Sequence, residues 1–243
     1  MQIPLFEIKN VISQKSGKKI LEIKNFEVHR GTVYTISGAP CSGKTALLKL
    51  MSREMKYNSG DIRFDGQNTK KLSKKELLDN IAIVPQETKP PRGTVKSYIE
   101  KTIGKYSHGK KYVEKRLKNI TTKMEIEKLL DIKMKSLTPG QFRWVILAAQ
   151  IAADTKILII DEIEQHLSSD SMNILLRILY RKSNYDGVTI IVSTLNPEML
   201  KKTTSVFVTM NNGRISSVRS STKKRPQKSR GRKQSAKTEK KTK

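Results

Sequence analysis

Eight residues, GAPCSGKT from Gly38 to Thr45, have the types and spacing that grip a phosphate chain. They fit G-x-x-x-x-G-K-[ST], with a β-rich run (Thr32 to Ser37) before them and a helical pattern after them. In such a loop the backbone of Gly38, Ala39, Pro40, Cys41, Ser42 and Gly43 wraps the phosphates, and the following helix N-terminus adds positive potential. Lys44 would reach the β- and γ-phosphates of a nucleoside triphosphate, and the Thr45 hydroxyl would hold Mg²⁺. Without its strand and helix the same string would be an ordinary Gly/Ser turn.

Two further strings carry chemistry. ILIIDE, Ile157 to Glu162, is an apolar run ending in two acids, which places Asp161 at the C-terminal end of a buried strand, where α/β sheets present ligands. Asp161 would bind Mg²⁺ through water, and Glu162 beside it could polarise an attacking water. Twenty residues upstream stands LTPGQ, Leu137 to Gln141. Thr138 as N-cap, Pro139 at the first helical position and Gln141 three residues after the cap make a well-formed helix start, and such an end attracts anions. Taken alone, it would be no more than a good cap.

The elements that must position these strings follow from periodicity. Leu5 to Val11 and Ile20 to Val28 alternate as half-buried strands, and Ala46 to Met55 is helical in period. Asp61 to Phe64 with the Asp65-Gly66 turn predicts a small hairpin, Ser73 to Glu76 a capping box, and Ile81 to Val84 a buried strand. From Thr94 to about Lys135 the chain is helical and Lys-rich with no strand candidate, as an inserted helical subdomain would be. A helix from Gln141 to about Ala153, a strand Lys156 to Ile160, a helix Ser171 to Lys182 and a strand Val188 to Ser193 come next. Val206 to Met210 and Arg214 to Val218 close as a hairpin around Asn212-Gly213. Strands separated by helices argue for a largely parallel, covered sheet with an antiparallel β part attached.

The bulk properties restrict the class. A chain of 243 residues, 36% hydrophobic, can bury one generous core with an insertion. A single cysteine, Cys41, excludes an internal disulfide and fits a reducing cytosol. The three histidines, His29, His108 and His166, have no metal-ligand spacing. No apolar run approaches the length of a membrane span, and the N-terminal residues read as a strand instead of a signal peptide. Net charge is +27, of which the last 23 residues, Ser221 to Lys243, carry +10. That field favours anionic partners: nucleic acid, acidic lipid or ribosome.

The phosphate loop, Gln86 in IVPQE after a strand, a helical insert, LTPGQ and then ILIIDE, in this order, resemble the nucleotide-binding subunit of the ABC (ATP-binding cassette) ATPases, over about Leu5 to Val218. The resemblance implies a P-loop NTPase, RecA-like α/β core with an antiparallel β subdomain and an inserted helical subdomain at about 94–153, the ATP-binding domain occupying 1–219. It implies ATP and Mg²⁺ as ligands, and a head-to-tail homo- or heterodimer sandwiching two ATP molecules. Lys44, Thr45, Gln86, Asp161 and Glu162 would act in cis, with Thr45, Gln86 and Asp161 about the metal and Glu162, Gln86 and Lys44 in catalysis. Leu137, Thr138, Gly140 and Gln141 would reach the partner's nucleotide in trans. The segment after Gln86, including Lys89 to Arg92, and the helical insert would face an integral membrane protein.

Several positions depart from the family pattern. The signature is usually LSGGQ, and Pro139 removes one backbone donor from it. Ser193-Thr194-Leu195-Asn196 puts Leu195 where a switch histidine is expected, Gln165-His166-Leu167-Ser168 replaces the usual SALD, and no aromatic ring stands near Gln14 or Lys15 to stack on adenine. These changes predict that ATP is bound and sandwiched while hydrolysis is slow or needs an asymmetric partner; drift with activity retained is the competing expectation. The resemblance places the chain in the cytoplasm, peripheral at the inner face of the membrane, as the ATPase subunit of a transporter-like complex. A non-transport relative, of the cell-division type or a regulator on ribosome or nucleic acid, is the alternative. Residues 220–243 read as a disordered basic tail that would engage anionic lipid or nucleic acid, the latter by backbone charge alone because the tail has no aromatic residue.

Overall fold

The computed structural model of the chain describes residues 3–221. Two strands, β1 (Phe6–Lys15) and β2 (Lys18–Val28), open the chain as an antiparallel pair about the Ser16-Gly17 turn. β3 (Val33–Ser37) then delivers the phosphate loop to α1 (Lys44–Met51). β4 (Ser59–Phe64), β5 (Gln67–Asn68), α2 (Lys74–Leu78) and β6 (Ile81–Val84) follow. The helical segment holds α3 (Val95–Gly104), α4 (Val113–Lys123) and α5 (Pro139–Ala152), with short 3₁₀ turns between them. The chain then runs through β7 (Ile157–Ile160), α6 (Ser169–Asn184), β8 (Thr189–Thr194), β9 (Val206–Asn211) and β10 (Arg214–Ser220).

The strands form two sheets. The larger has order β10-β9-β3-β8-β7-β6, parallel except for the β9–β10 hairpin, and the smaller is antiparallel with order β2-β1-β4-β5. The period of two along β7 explains its unbroken apolar run. Ile157 and Ile159 enter a core shared with β1, β2 and α1, while Leu158 and Ile160 enter the core under α3, α5 and α6. A strand covered on both faces needs apolar residues at every position, each burial contributing about 1.5–3 kcal/mol. In the helical segment, Trp144 Nε1 donates to Met124 O (2.9 Å), tying α5 to the end of α4.

Three expectations need correction. α1 spans Lys44–Met51 and not Ala46 to Met55. Arg53 adopts φ 54°, its N–H bonds Leu50 O (3.1 Å), and Glu54 N–H bonds Lys49 O (2.9 Å), which is a Schellman end built on arginine instead of glycine. β1 runs on to Lys15 through a bulge between Ser13 and Gln14, where alternation fails in the sequence. Ser220, assigned to the tail, is the last residue of β10, and Ser221 N–H bonds Ser205 O (2.7 Å). The rest of the predicted tail lies outside the described residues. Among the described residues no helix is long and apolar enough to cross a membrane.

Candidate nucleotide-binding site

The phosphate loop joins the C-terminal end of β3, at the middle of the larger sheet, to the N-terminus of α1. Its curvature needs positive φ at Gly38 (154°), Cys41 (60°) and Gly43 (103°). At Gly38 no other residue fits, because an added Cβ would lie 2.4 Å from Met210 O. The Lys44 ammonium is buried at the centre of the loop and donates to Gly38 O (2.8 Å) and Ala39 O (2.9 Å). Ser42 Oγ is buried with no hydrogen-bond partner, an expensive condition unless the group serves a ligand. A cavity of about 800 Å³ opens over this loop. Pro40 to Ala46 line it together with Gln86, Glu162 and, at its other end, Gln14, Lys15 and Lys56. The loop and the two predicted catalytic side chains thus converge on one space, and no aromatic ring among the described residues lines it.

The β9–β10 turn holds the loop from the side. Gly213 N–H donates to Ser42 O (2.9 Å), and a Cβ at Gly43 would come within 3.1 Å of Gly213 Cα. Gly213 O in turn accepts from Glu22 N–H (2.9 Å), and Arg214 Nη2 bonds the Glu22 carboxylate (2.7 Å). The turn therefore joins the phosphate loop to β2 of the smaller sheet.

The two acids after β7 have different surroundings. Asp161 is 4% exposed and its carboxylate accepts from Ser193 Oγ (2.5 Å). Glu162, partly exposed, has φ 46°. A left-handed backbone costs a non-glycine residue about 1–2 kcal/mol, so it persists only where neighbours hold it. Glu162 N–H donates to Ser193 Oγ (2.8 Å), and its carbonyl accepts from Arg143 Nη2 (3.0 Å). Arg143 also donates to Asp161 O (2.6 Å) and Pro85 O (2.5 Å). Burial, partly opposed by the Asp161, Glu162 and Glu164 carboxylates, pushes its guanidinium down to about 10, which still leaves it a cation at neutral pH.

Thr138 caps α5 as expected, accepting from Gln141 N–H (3.3 Å) while Gln141 Oε1 accepts from Thr138 N–H (3.0 Å). Pro139 brings no N–H and Gln141 N–H is taken, so the donor this helix start offers outward is that of Gly140. None of Leu137, Thr138, Gly140 and Gln141 lines the large cavity. The structure brings the phosphate loop, Gln86 and Glu162 together on one cavity and keeps Leu137, Thr138, Gly140 and Gln141 out of it, although Gln86 also borders a smaller cavity with Pro139 and Phe142. Leu195 is 52% exposed, and its N–H and the Thr194 hydroxyl both donate to Glu164 Oε1 (2.7 and 2.9 Å).

The family model for ABC transporters matches residues 21–165. The chain belongs to that family. It is 28% identical over 214 residues to the petrobactin import ATP-binding protein of Bacillus subtilis, covering 87% of this chain and 85% of the relative. It is 26% identical over 231 residues to the phosphonates import ATP-binding protein of Fusobacterium nucleatum, covering 87% and 90%. The fold agrees with that of an ABC transporter ATP-binding subunit (TM-score 0.82, 20% identity, 89% and 90% covered). It agrees also with a dimeric ATP-binding cassette holding ADP and phosphate in a post-hydrolysis state (TM-score 0.77, 22% identity, 88% and 98% covered). As a member of this family the chain is an ATP-binding subunit with ATPase activity.

Four functional candidates were not reached from the sequence: Arg143, Ser193, Glu164 and Gly213. A lone arginine within the otherwise apolar FRWVILAA was the available signal for Arg143. For the other three the partner is remote in the chain, and no local pattern announces it.

Proposed function

We propose that ATP held by Gly38 to Thr45 draws two such subunits into a closed dimer whose movement is passed to an integral membrane protein. The observation that carries this reading is the convergence of the phosphate loop, Gln86 and Glu162 on one cavity from which Thr138, Gly140 and Gln141 are absent. Half of a composite site lies in each subunit, so the capped start of α5 serves the partner's nucleotide. In this reading Lys44 balances phosphate charge and Glu162 orients and deprotonates water. The Thr45 hydroxyl, Gln86 amide and Asp161 carboxylate are an all-oxygen donor set suited to Mg²⁺. Bound there, the ion would neutralise developing charge on the phosphates.

The membrane partner is supported by a second feature. A groove of about 470 Å³ separates the segment after Gln86 from the helical insert, lined by Pro85, Glu87, Tyr98, Tyr106 and Ile146 among others. Its mixed apolar and polar walls suit a short helix or loop of another chain, which supports a subunit docked peripherally at the cytoplasmic membrane face. The import names of the two relatives above favour import as the direction. Co-purification from membranes in mild detergent should bring down a multi-span protein, and a preparation that yields only the soluble chain would count against the coupling.

The reading also fixes a sign for Leu195. Its backbone is held by Glu164 and its side chain is exposed, so histidine can replace it without disturbing the loop. A donor restored toward the γ-phosphate should raise kcat by up to about 100-fold, the scale of a single transition-state hydrogen bond. Steady-state ATP turnover of Leu195→His against the unaltered chain checks this. Equal rates would favour the view that the switch position drifted with activity retained.

A further inference from the structure

Arg143 is 5% exposed, yet its guanidinium makes no ion pair with a carboxylate among the described residues. It spends its donors on three carbonyls, those of Pro85, Asp161 and Glu162, and its Nε is buried with no partner. A buried cation is costly, and a core built only for stability would use an apolar side chain or pair the charge. The carbonyls it chooses are not arbitrary. Pro85 follows β6 and immediately precedes Gln86, and Asp161 and Glu162 follow β7. Arg143 itself sits on the first turns of α5, five residues after the Thr138 cap. One planar fork with fixed donors therefore joins the helix start to the two loops that carry Gln86 and Glu162.

The carboxylates gain from this choice. Because Arg143 bonds main-chain oxygens, it occupies neither carboxylate: the Glu162 side chain is left to face the cavity, and the Asp161 carboxylate is engaged by Ser193 Oγ alone among the described side chains. The strained backbone of Glu162 is clamped on both sides, at its N–H by Ser193 and at its carbonyl by Arg143.

We propose that Arg143 is a positioning residue: it sets Gln86 and Glu162 for hydrolysis and makes them one rigid body with the helix start that meets the partner's nucleotide. The inference rests on the composite-site reading above. It implies that occupancy of the partner's site is felt at the subunit's own catalytic loop, so that turnover is cooperative in ATP through Arg143.

The experiment compares the full chain with Arg143→Met and Arg143→Lys. Each is assayed for kcat, KM and Hill coefficient, for equilibrium binding of a fluorescent ATP analogue, and for amide hydrogen exchange. In Arg143→Met kcat should fall by about 10–100-fold, as small misplacements of reacting groups do, with nucleotide affinity retained and the Hill coefficient falling to about 1. Exchange should rise in 85–88 and 161–166 and stay unchanged in α1. Arg143→Lys, which keeps the charge without the fork, should fall between the two. Unchanged exchange at both loops overturns the proposal, and so does a rise spread over the whole chain with early melting, which assigns Arg143 to stability alone. If the unaltered chain forms no dimer in Mg-ATP, the composite-site reading fails separately and the exchange result still decides the role of Arg143.

Discussion

Glu162→Gln lowers the rate of ATP hydrolysis by about 10²–10⁴-fold, the range contributed by a positioned general base, and leaves ATP affinity in place. The carboxylate lines the cavity beside the phosphate loop, and in the proposed reading the grip on ATP comes from Lys44 and from backbone between Gly38 and Thr45. An amide has nearly the same shape and cannot accept the water's proton. The clamps on residue 162 act on its N–H and carbonyl, so they survive the substitution and the loop keeps its conformation. The closed dimer should then persist with ATP bound, because the step that opens it is blocked. Single-turnover hydrolysis together with sedimentation in Mg-ATP measures both effects. Hydrolysis at the unaltered rate would remove Glu162 from the role of base.

Gly213→Ala has a large effect of another kind, on stability and ATP affinity. A Cβ there would stand 2.2 Å from Ile20 O and 3.0 Å from Ile20 C, both main chain and unable to yield, and φ at this residue is 74°. Overpacking and a left-handed alanine together cost about 2–4 kcal/mol. For a chain of this size that lowers the melting temperature by roughly 5–15 °C. The loss is functional as well, since the turn must shift and carry the Gly213 N–H away from Ser42 O. ATP affinity should fall even though residue 213 lies far along the chain from the phosphate loop. Thermal melts with and without ATP would separate the two contributions. A variant as stable and as tight-binding as the original would show that the contact between turn and loop is incidental.

What could be read from the sequence was what is encoded locally. The phosphate loop, ILIIDE, the capping boxes at Ser73 and Thr138 and the Asn212-Gly213 turn each depend on residues within a few positions of one another. The covered, largely parallel sheet followed from strands alternating with helices, and the structure shows each face of β7 meeting its own core. What could not be read is what crosses the chain. The end of α1 was overshot because its left-handed residue is Arg53, and arginine carries no turn signal. Arg143 binds oxygens 18, 19 and 58 residues away, and Ser193 serves residues 32 and 31 positions upstream. Gly213 was legible as a turn and not as the pin of the phosphate loop, because that contact spans the whole domain. That Leu195 stands where the resemblance leads one to expect histidine was visible, and the Glu164 carboxylate that holds the Leu195 N–H was not.

The position of β3 has a consequence for the order of events during synthesis. This strand bears the phosphate loop at its end, yet its sheet partners are β8 and β9, pairing Val33 with Ile190 and Tyr34 with Val206. A nascent chain thus displays the full GAPCSGKT string long before either neighbour has left the ribosome, and the pin at Gly213 emerges later still. Such non-local pairing is slow to form, because the loop-closure entropy must be overcome before any contact rewards it. The nucleotide cradle is among the earlier segments to be made, yet the strands and the turn that support it are complete only when nearly the whole domain has been translated.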